Sequence, residues 1–202
     1  MENIVLVNDI VTLKTMELAH IDAIFEAGNY EEIWTHLAIT IASREEAKQF
    51  VEQSLLNKAL GKEHPFVIVD NTTNRIIGGT KLMDLDPTHK RISLGFSWLT
   101  PAYWGSPINS NCKYLLMQYC FEVLQVNRVQ IQADERNIRS RNAIARIGAT
   151  EEGIFRSHMV RKDGTPRNSV IFSVIQPEWP QVKQHMERLI DRPYAQLAIP
   201  SI

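Results

Sequence analysis

Three strand-like runs in close succession, followed by one long helical run, constrain this chain more than any other feature of its sequence. "FVIVD" (66–70) and "RIIGGTKLM" (75–83) are joined by the polar turn Asn71-Thr72-Thr73-Asn74, which reads as a hairpin. "RISLGFSWLT" (91–100) is the next strand. Beyond the segment "PAYWGSPINS" the apolar spacing changes. Tyr114, Leu115, Met117, Phe121 and Leu124 recur at near-helical intervals through "CKYLLMQYCFEVL", the clearest helix in the chain.

The flanking segments fit the same frame. "VTLKTM" (11–16) alternates like a strand, and "ELAHIDAIFEAG" places Leu18, Ile21 and Phe25 on one helical face with Gly28 as its stop. Ser43 with Glu46 three residues on predicts a capped helix ending near Gly61. Downstream, "RVQIQAD" reads as a buried strand and "SRNAIARIG" as a short helix closed by Gly148. "GIFRSHMVRKDGTPRNSVIFSVI" reads as two strands around Asp163-Gly164, and "PEWPQVKQHMERLI" as a last helix before a tail at about 191–202. Helices, an antiparallel meander, then strand–helix–strand–helix–hairpin make one α/β or α+β domain of 202 residues, with no internal repeat or linker.

Composition narrows the function classes. Hydrophobic residues at 44% and charged residues at 22% suit a soluble globular protein. No apolar run reaches the roughly 18 residues of a membrane span, and "MENIVLVNDI" lacks the basic region of a signal peptide, so the cytoplasm is the expected compartment. Neither a membrane nor a nucleic acid is an expected partner. The formal net charge is −1, but residues 1–100 hold 9 Lys and Arg against 14 Asp and Glu, whereas residues 101–170 hold 10 against 6. That polarity, with the cluster Arg136, Arg139, Arg141 and Arg146, suits an anionic ligand in the second half and a cationic one facing the first; two solvated surfaces of opposite sign explain it as well. Cys112 and Cys120 lie about 12 Å apart along one helix, too far for a mutual disulfide, and are expected to be reduced and partly buried. The histidines show no paired metal-ligand spacing, so no structural metal is expected.

Two short segments could carry chemistry. In the loop Ala102–Asn111, a helix N-terminus presents unpaired N–H groups and the positive end of its dipole, a seat for phosphate. Gly105 permits close backbone approach, and Asn109 or Ser110 could cap the helix while leaving amides free. An ordinary strand-to-helix turn is the competing reading, and the spacing fits neither a Walker loop nor a dinucleotide fingerprint. In "DERNIRSRNAIARIGATEEG", Asn137 and Ser140 stand at a helix start, where turn and cap roles suffice to explain them.

Taken together, "SWLTPAYWGSPINSNCKYLL", "NIRSRNAIARIGATEEGIFR" and "RKDGTPRNSVIFSVIQPEW" resemble the GNAT superfamily of N-acetyltransferases, and within it the ribosomal-protein N-terminal (RimJ/RimL-like) branch. The likeness runs from about Val11 to Val182. It implies a central, mostly antiparallel mixed sheet with a splayed strand pair, flanked by helices. It also implies that acetyl-coenzyme A enters between the strand ending at Thr100 and the strand Arg128–Asp134. The pantetheine would pair with the backbone near Trp98 and Leu99, and the pyrophosphate would sit on the loop Trp104, Gly105, Ser106, Pro107, Ile108, Asn109 and Ser110. Ser140 matches the family position that donates to the leaving thiolate, and Asn137 the residue that orients the cofactor arm or the acceptor. A homodimer is a further implication.

Several positions depart from the family pattern. Pro107 stands where relatives carry glycine and removes one N–H, although proline is tolerated in a helix's first turn. Ser93 and Asn111 stand where close relatives carry glutamate, and a tyrosine common after the asparagine is missing from 143–147. The amine acceptor must lose a proton, for which His158 is the first candidate base, with Asp84 and Glu135 behind it; each also fits a structural role. The resemblance therefore implies an acetyl-coenzyme-A-dependent N-acetyltransferase acting on a peptide N-terminus or a small amine. Its alternative is a catalytically weakened module that binds coenzyme A or another protein.

Overall fold

The computed structural model describes residues 3–190. Strands β1 (Val5–Val7), β2 (Val11–Thr15), β3 (Glu63–Asp70), β4 (Arg75–Asp86), β5 (Arg91–Leu99), β6 (Arg128–Asp134), β7 (Thr150–Val160) and β8 (Pro166–Ile175) alternate with helices α1 (Ile21–Gly28), α2 (Arg44–Ala59), α3 (Ile108–Gln118), α4 (Ile138–Arg146) and α5 (Trp179–Ile190). The strands form one sheet in the order β1-β2-β3-β4-β5-β6-β8-β7. Every neighbouring pair is antiparallel except β5–β6, which is parallel. The mixed sheet implied by the resemblance is therefore present. The tail expected at about 191–202 lies outside the described residues.

Helices cover both faces, which explains the unbroken apolar run of β3. Successive side chains on a strand point to opposite faces. Phe66 and Ile68 accordingly pack with Cys112 and Leu116 of α3, while Val67 and Val69 pack with Ile24 of α1 and Val51 of α2. A strand buried on both sides needs apolar residues at every position.

The element ends follow local chemistry. Ser43 Oγ accepts from the Glu46 amide at 3.2 Å, and the Glu46 carboxylate accepts from the Ala42 amide at 2.7 Å, which starts α2 as predicted. Gly148 (φ +90) closes α4, and Gly164 (φ +80) turns the β7–β8 hairpin. Three expectations need correction. The face expected from Leu18, Ile21 and Phe25 is rotated, because residues Leu18–His20 form a separate 3-10 turn; Leu18 is exposed and Ile24 and Ala27 are buried. Gly28 is the last residue of α1, as expected. A Cβ there would lie 3.1 Å from the Trp34 ring, so the glycine serves close packing. The helix after the loop changes at Tyr119–Val123 into one π-helical turn, which brings both Cys120 and Phe121 into the core. Cys112 and Cys120 are free as expected, but fully buried rather than partly so. Strand β1 is an addition whose three residues gave no readable period.

Candidate active site

The parallel pair comes apart along its length. Its register runs from Arg91 opposite Arg128 to Leu94 opposite Ile131 and then stops. β6 continues against β8 as far as Asp134 opposite Ser169, so it is β5 that leaves. The cause is a bulge: Gly79 faces Trp98 and Lys81 faces Gly95, so Phe96 and Ser97 together oppose Thr80. Phe96 takes φ +48, a left-handed conformation that costs a non-glycine residue roughly 1–2 kcal/mol. A bulge bends its strand and strengthens the local twist. The edge of β5 from Phe96 to Leu99 therefore faces a gap, which widens into a cavity of about 610 Å³.

At one end of the cavity stands the loop into α3. Gly105 (φ +77) has open space where a Cβ would sit, so its conformation alone demands glycine. Trp104 Nε1 donates to the Leu99 carbonyl at 2.9 Å, and the Arg139 guanidinium stacks 3.5 Å from the centre of the Trp104 ring. Pro107 is the N-cap residue of α3 with φ −69 and ψ −10, angles its ring already favours. Neither Asn109 nor Ser110 caps the helix. Ser106 does so, its Oγ accepting from the Ile108 amide at 3.3 Å and donating to the Tyr103 carbonyl at 2.6 Å. Asn111 locks the loop from below, donating to the Pro107 carbonyl at 2.9 Å and accepting from Asn8 at 2.8 Å. Among the described residues, the amides of Gly105, Asn109 and Ser110 find no backbone or side-chain acceptor. Pro107 thus removes one donor and leaves three.

On the opposite wall, Asn137 caps α4 by accepting from the Ser140 amide at 3.0 Å. Both residues also line the cavity, as do Arg139 and Arg146. Of the remaining arginines in that cluster, Arg141 lies 3.6 Å from Glu151 and Arg136 is exposed. Asp134 lines the cavity too, but its carboxylate is engaged by Arg161 through contacts of 2.8 Å. Burial opposes its ionisation, yet the hydrogen bonds from Arg161 and from the Arg136 amide outweigh that and hold its pKa below the usual range. It is a fixed anion rather than a proton acceptor.

The expected site residues divide accordingly. Trp98, Leu99, Trp104, Gly105, Ser106, Asn109, Asn137 and Ser140 line the cavity. Thr100 does not, its hydroxyl being donated to the Ala27 carbonyl at 2.8 Å; Ile108 and Ser110 have buried side chains beneath the loop. All three candidate bases lie elsewhere. His158 is exposed on β7, edge-on to Phe155 with ring centroids 5.3 Å apart. Asp84 is exposed on β4, and Glu135 accepts from the Asn168 amide group at 3.0 Å.

Among the cavity residues that were not anticipated, two carry titratable groups of interest. His36 follows the short turn Glu31–Trp34 and lines the wall beside Leu37 and Ala38; burial lowers its imidazole pKa, with Asp134 opposing that shift. Lys113, on α3, is 5% exposed and donates to Ser97 Oγ at 2.7 Å. The detectable signal was its spacing: Lys113 sits four residues after Asn109 and three before the buried Leu116, on the inner stripe of the helix.

Comparison with known proteins agrees with this geometry. Residues 11–150 match the family model described as "Acetyltransferase (GNAT) domain". A GCN5-related N-acetyltransferase from Brucella melitensis is 29% identical and superimposes with a TM-score of 0.88, covering 95% of this chain and 87% of that one. The Bacillus licheniformis protein named "Uncharacterized N-acetyltransferase p20" is 23% identical over 170 residues, 84% of this chain and 94% of its own length. The ribosomal branch is represented among the fold neighbours by Mycobacterium smegmatis RimJ, solved in complex with CoA-disulfide. It is 17% identical with a TM-score of 0.78, covering 89% of this chain and 88% of that one. With a family model spanning more than half the sequence and a divided parallel strand pair beside a glycine loop, the chain belongs to the GNAT acetyltransferases.

Proposed function

We propose that the protein transfers an acetyl group from acetyl-coenzyme A to a primary amine, on a peptide N-terminus or a small molecule, by direct attack. The observation that carries this reading is the open edge of β5 at Phe96–Leu99, facing a cavity lined by Gly105 and Asn109, whose amides are free among the described residues. The donor set fits the cosubstrate. The amides of Gly105, Asn109 and Ser110, with the guanidinium groups of Arg139 and Arg146, supply positive potential for a pyrophosphate. The open strand edge can pair with the amides of a pantetheine arm as a further strand would.

The thioester supplies an activated acetyl carbonyl; this chain's residues do the rest. A backbone N–H at Phe96–Leu99 stabilises the oxyanion that develops on that carbonyl. Ser140 donates to the departing sulfur, and Asn137, already fixed as the cap of α4, orients the cofactor arm or the acceptor. An α-amine of pKa about 8 must shed a proton before attack. His36, which lines the cavity where the exposed His158 does not, takes the role of proton acceptor; burial lowers its pKa, which leaves the neutral form available but makes it a weaker base. Cytoplasmic residence and a homodimeric state are carried as parts of the same proposal.

The binding-module alternative rests on Pro107, on Ser93 and on the tyrosine missing from 143–147; the loop geometry weakens the first of these grounds, since the missing N–H is the N-cap's own. Calorimetric titration of acetyl-coenzyme A into the wild type and Pro107→Gly tests the reading. We expect micromolar binding by the wild type and a glycine variant tighter by less than the roughly 10- to 100-fold that one full hydrogen bond to a charged group is worth. Absence of binding by the wild type, with binding restored by glycine, would overturn it in favour of a disabled inherited site.

A further inference from the structure

The sheet buries two lysines, one toward each face, and they are treated differently. Lys81 on β4 is neutralised: Glu63 lies 2.6 Å from its ammonium, Ser54 Oγ accepts at 2.9 Å, and the rings of Phe50 and Phe96 flank it at 5.0 and 4.9 Å. Lys113 on α3 is buried to the same degree, yet among the described residues no carboxylate lies within ion-pair distance of it. It lines the proposed acetyl-coenzyme A cavity, whereas Lys81 does not. Its one hydrogen bond leads into a chain of hydroxyls: Lys113 Nζ donates to Ser97 Oγ at 2.7 Å, and Ser97 Oγ lies 2.7 Å from Thr80 Oγ1. Both hydroxyls approach the Gly95 carbonyl at 3.4 Å, which can only accept. With the chain ending on an acceptor, the hydroxyl hydrogens run toward Gly95 and Ser97 accepts from Lys113. The lone pair of the neutral amine is then left unengaged.

Position adds to this. Ser97 belongs to the bulge at which β5 leaves β6, and under the proposed function that segment receives the thioester carbonyl. We propose that Lys113 is a self-acetylation site: an internal primary amine held beside the thioester and acylated by it when no other amine is present. The inference rests on the N-acetyltransferase reading above. In the step, the Nζ lone pair attacks the thioester carbonyl carbon and the N–C bond forms. The C–S bond breaks with its electron pair on sulfur, and the proton lost by nitrogen ends on that sulfur. The products are Nε-acetyl-lysine and the coenzyme A thiol. Burial favours the reactive form, since it lowers the Lys113 pKa to about 8, only weakly opposed by Cys112, whose own thiol is pushed up to about 12. At pH 8 about half of such an amine is neutral, against less than about 1% of a lysine near 10.4. Acetylation also removes a buried cation that has no counter-charge.

The test uses the wild-type protein incubated at pH 8 with acetyl-coenzyme A and no acceptor, followed by peptide mass mapping, with binding measured in parallel by calorimetry. Lys113 should gain the mass of one acetyl group at least tenfold faster than the exposed Lys14, Lys62 and Lys90, and excess free coenzyme A should suppress Lys113 alone. Modification of Lys113 no faster than the exposed lysines, or indifferent to free coenzyme A, would overturn the proposal. So would an unmodified Lys113 in protein that calorimetry shows to bind, and that result would leave the N-acetyltransferase reading standing. Neither modification nor binding would overturn both.

Discussion

The imidazole of His64 lies under the sheet, fully buried, with Thr15 Oγ1 2.8 Å from its Nε2 and the Phe66 ring 4.7 Å away. Among the described residues its Nδ1 has no hydrogen-bond partner, and burial, aided by Lys58, lowers its pKa from 6.5 to about 4. The unfolded chain takes up a proton there below about pH 6.5 and the folded chain only below about 4, so stability rises with pH across that interval. Taking the protein from pH 7 to pH 4.5 should cost about 2 kcal/mol at this site, measured by urea unfolding. His20 and His36 act in the same direction, so the His64 share is read as the difference from His64→Leu, whose profile should be flatter by that amount. The site was legible at this scale where backbone conformation dictates residue type. Gly105 and the cap Asn137 were readable because a left-handed loop and an exposed helix start each admit few residues. Which side chain meets the first amide of α3 was not, since the oxygens of Ser106, Asn109 and Ser110 can each accept and the turn decides which one points there. His158 and His36 look alike in a sequence, and only the folded chain shows that one faces solvent and the other the cavity.

At the scale of elements, the bulge at Phe96 and Ser97 separates β5 into a paired and an unpaired part. Amides of Arg91–Leu94 sit between two hydrogen-bonded neighbours, whereas one side of Phe96–Leu99 is open. Hydrogen exchange of the free protein should therefore show protection that falls after Leu94, and saturating coenzyme A should slow the gap-facing amides of 96–99 by on the order of tenfold or more. An unchanged exchange pattern in a protein that binds would mean that the ligand does not use this edge. Longer elements were legible because their patterns span several turns or pleats, as in β3, α3 and the β7–β8 hairpin. The misplaced face of α1 has a simple origin: a 3-10 turn at Leu18–His20 advances by a different angle per residue, so a helical count begun at Leu18 lands one residue off by Ile24. The π-helical turn at Tyr119–Val123 escaped for the same reason, since one residue of slack leaves the spacing of apolar residues nearly helical.

For the whole molecule, the proposed ligand would join parts that the chain itself leaves apart. Anything bound only by the folded state stabilises it, by about 2.7 kcal/mol at a hundred times its dissociation constant. For a chain of this size that should raise the melting temperature by about 5–10 °C, readable by differential scanning fluorimetry with coenzyme A. The effect should shrink in Arg139→Ala, which keeps the fold but removes the guanidinium stacked on Trp104. The uneven charge seen in the sequence holds only in part, because Asp134 consumes Arg161 and Arg141 lies against Glu151, leaving Arg139 and Arg146 turned to the cavity. The four-residue seam Arg91–Leu94 against Arg128–Ile131 has a mechanical meaning as well. Among the described residues it is the one strip of ladder joining a leaf of five strands to a leaf of three, so the sheet is built like a book held at one end of its spine. Under the proposed function, a page slipped into the open end would touch both leaves at once.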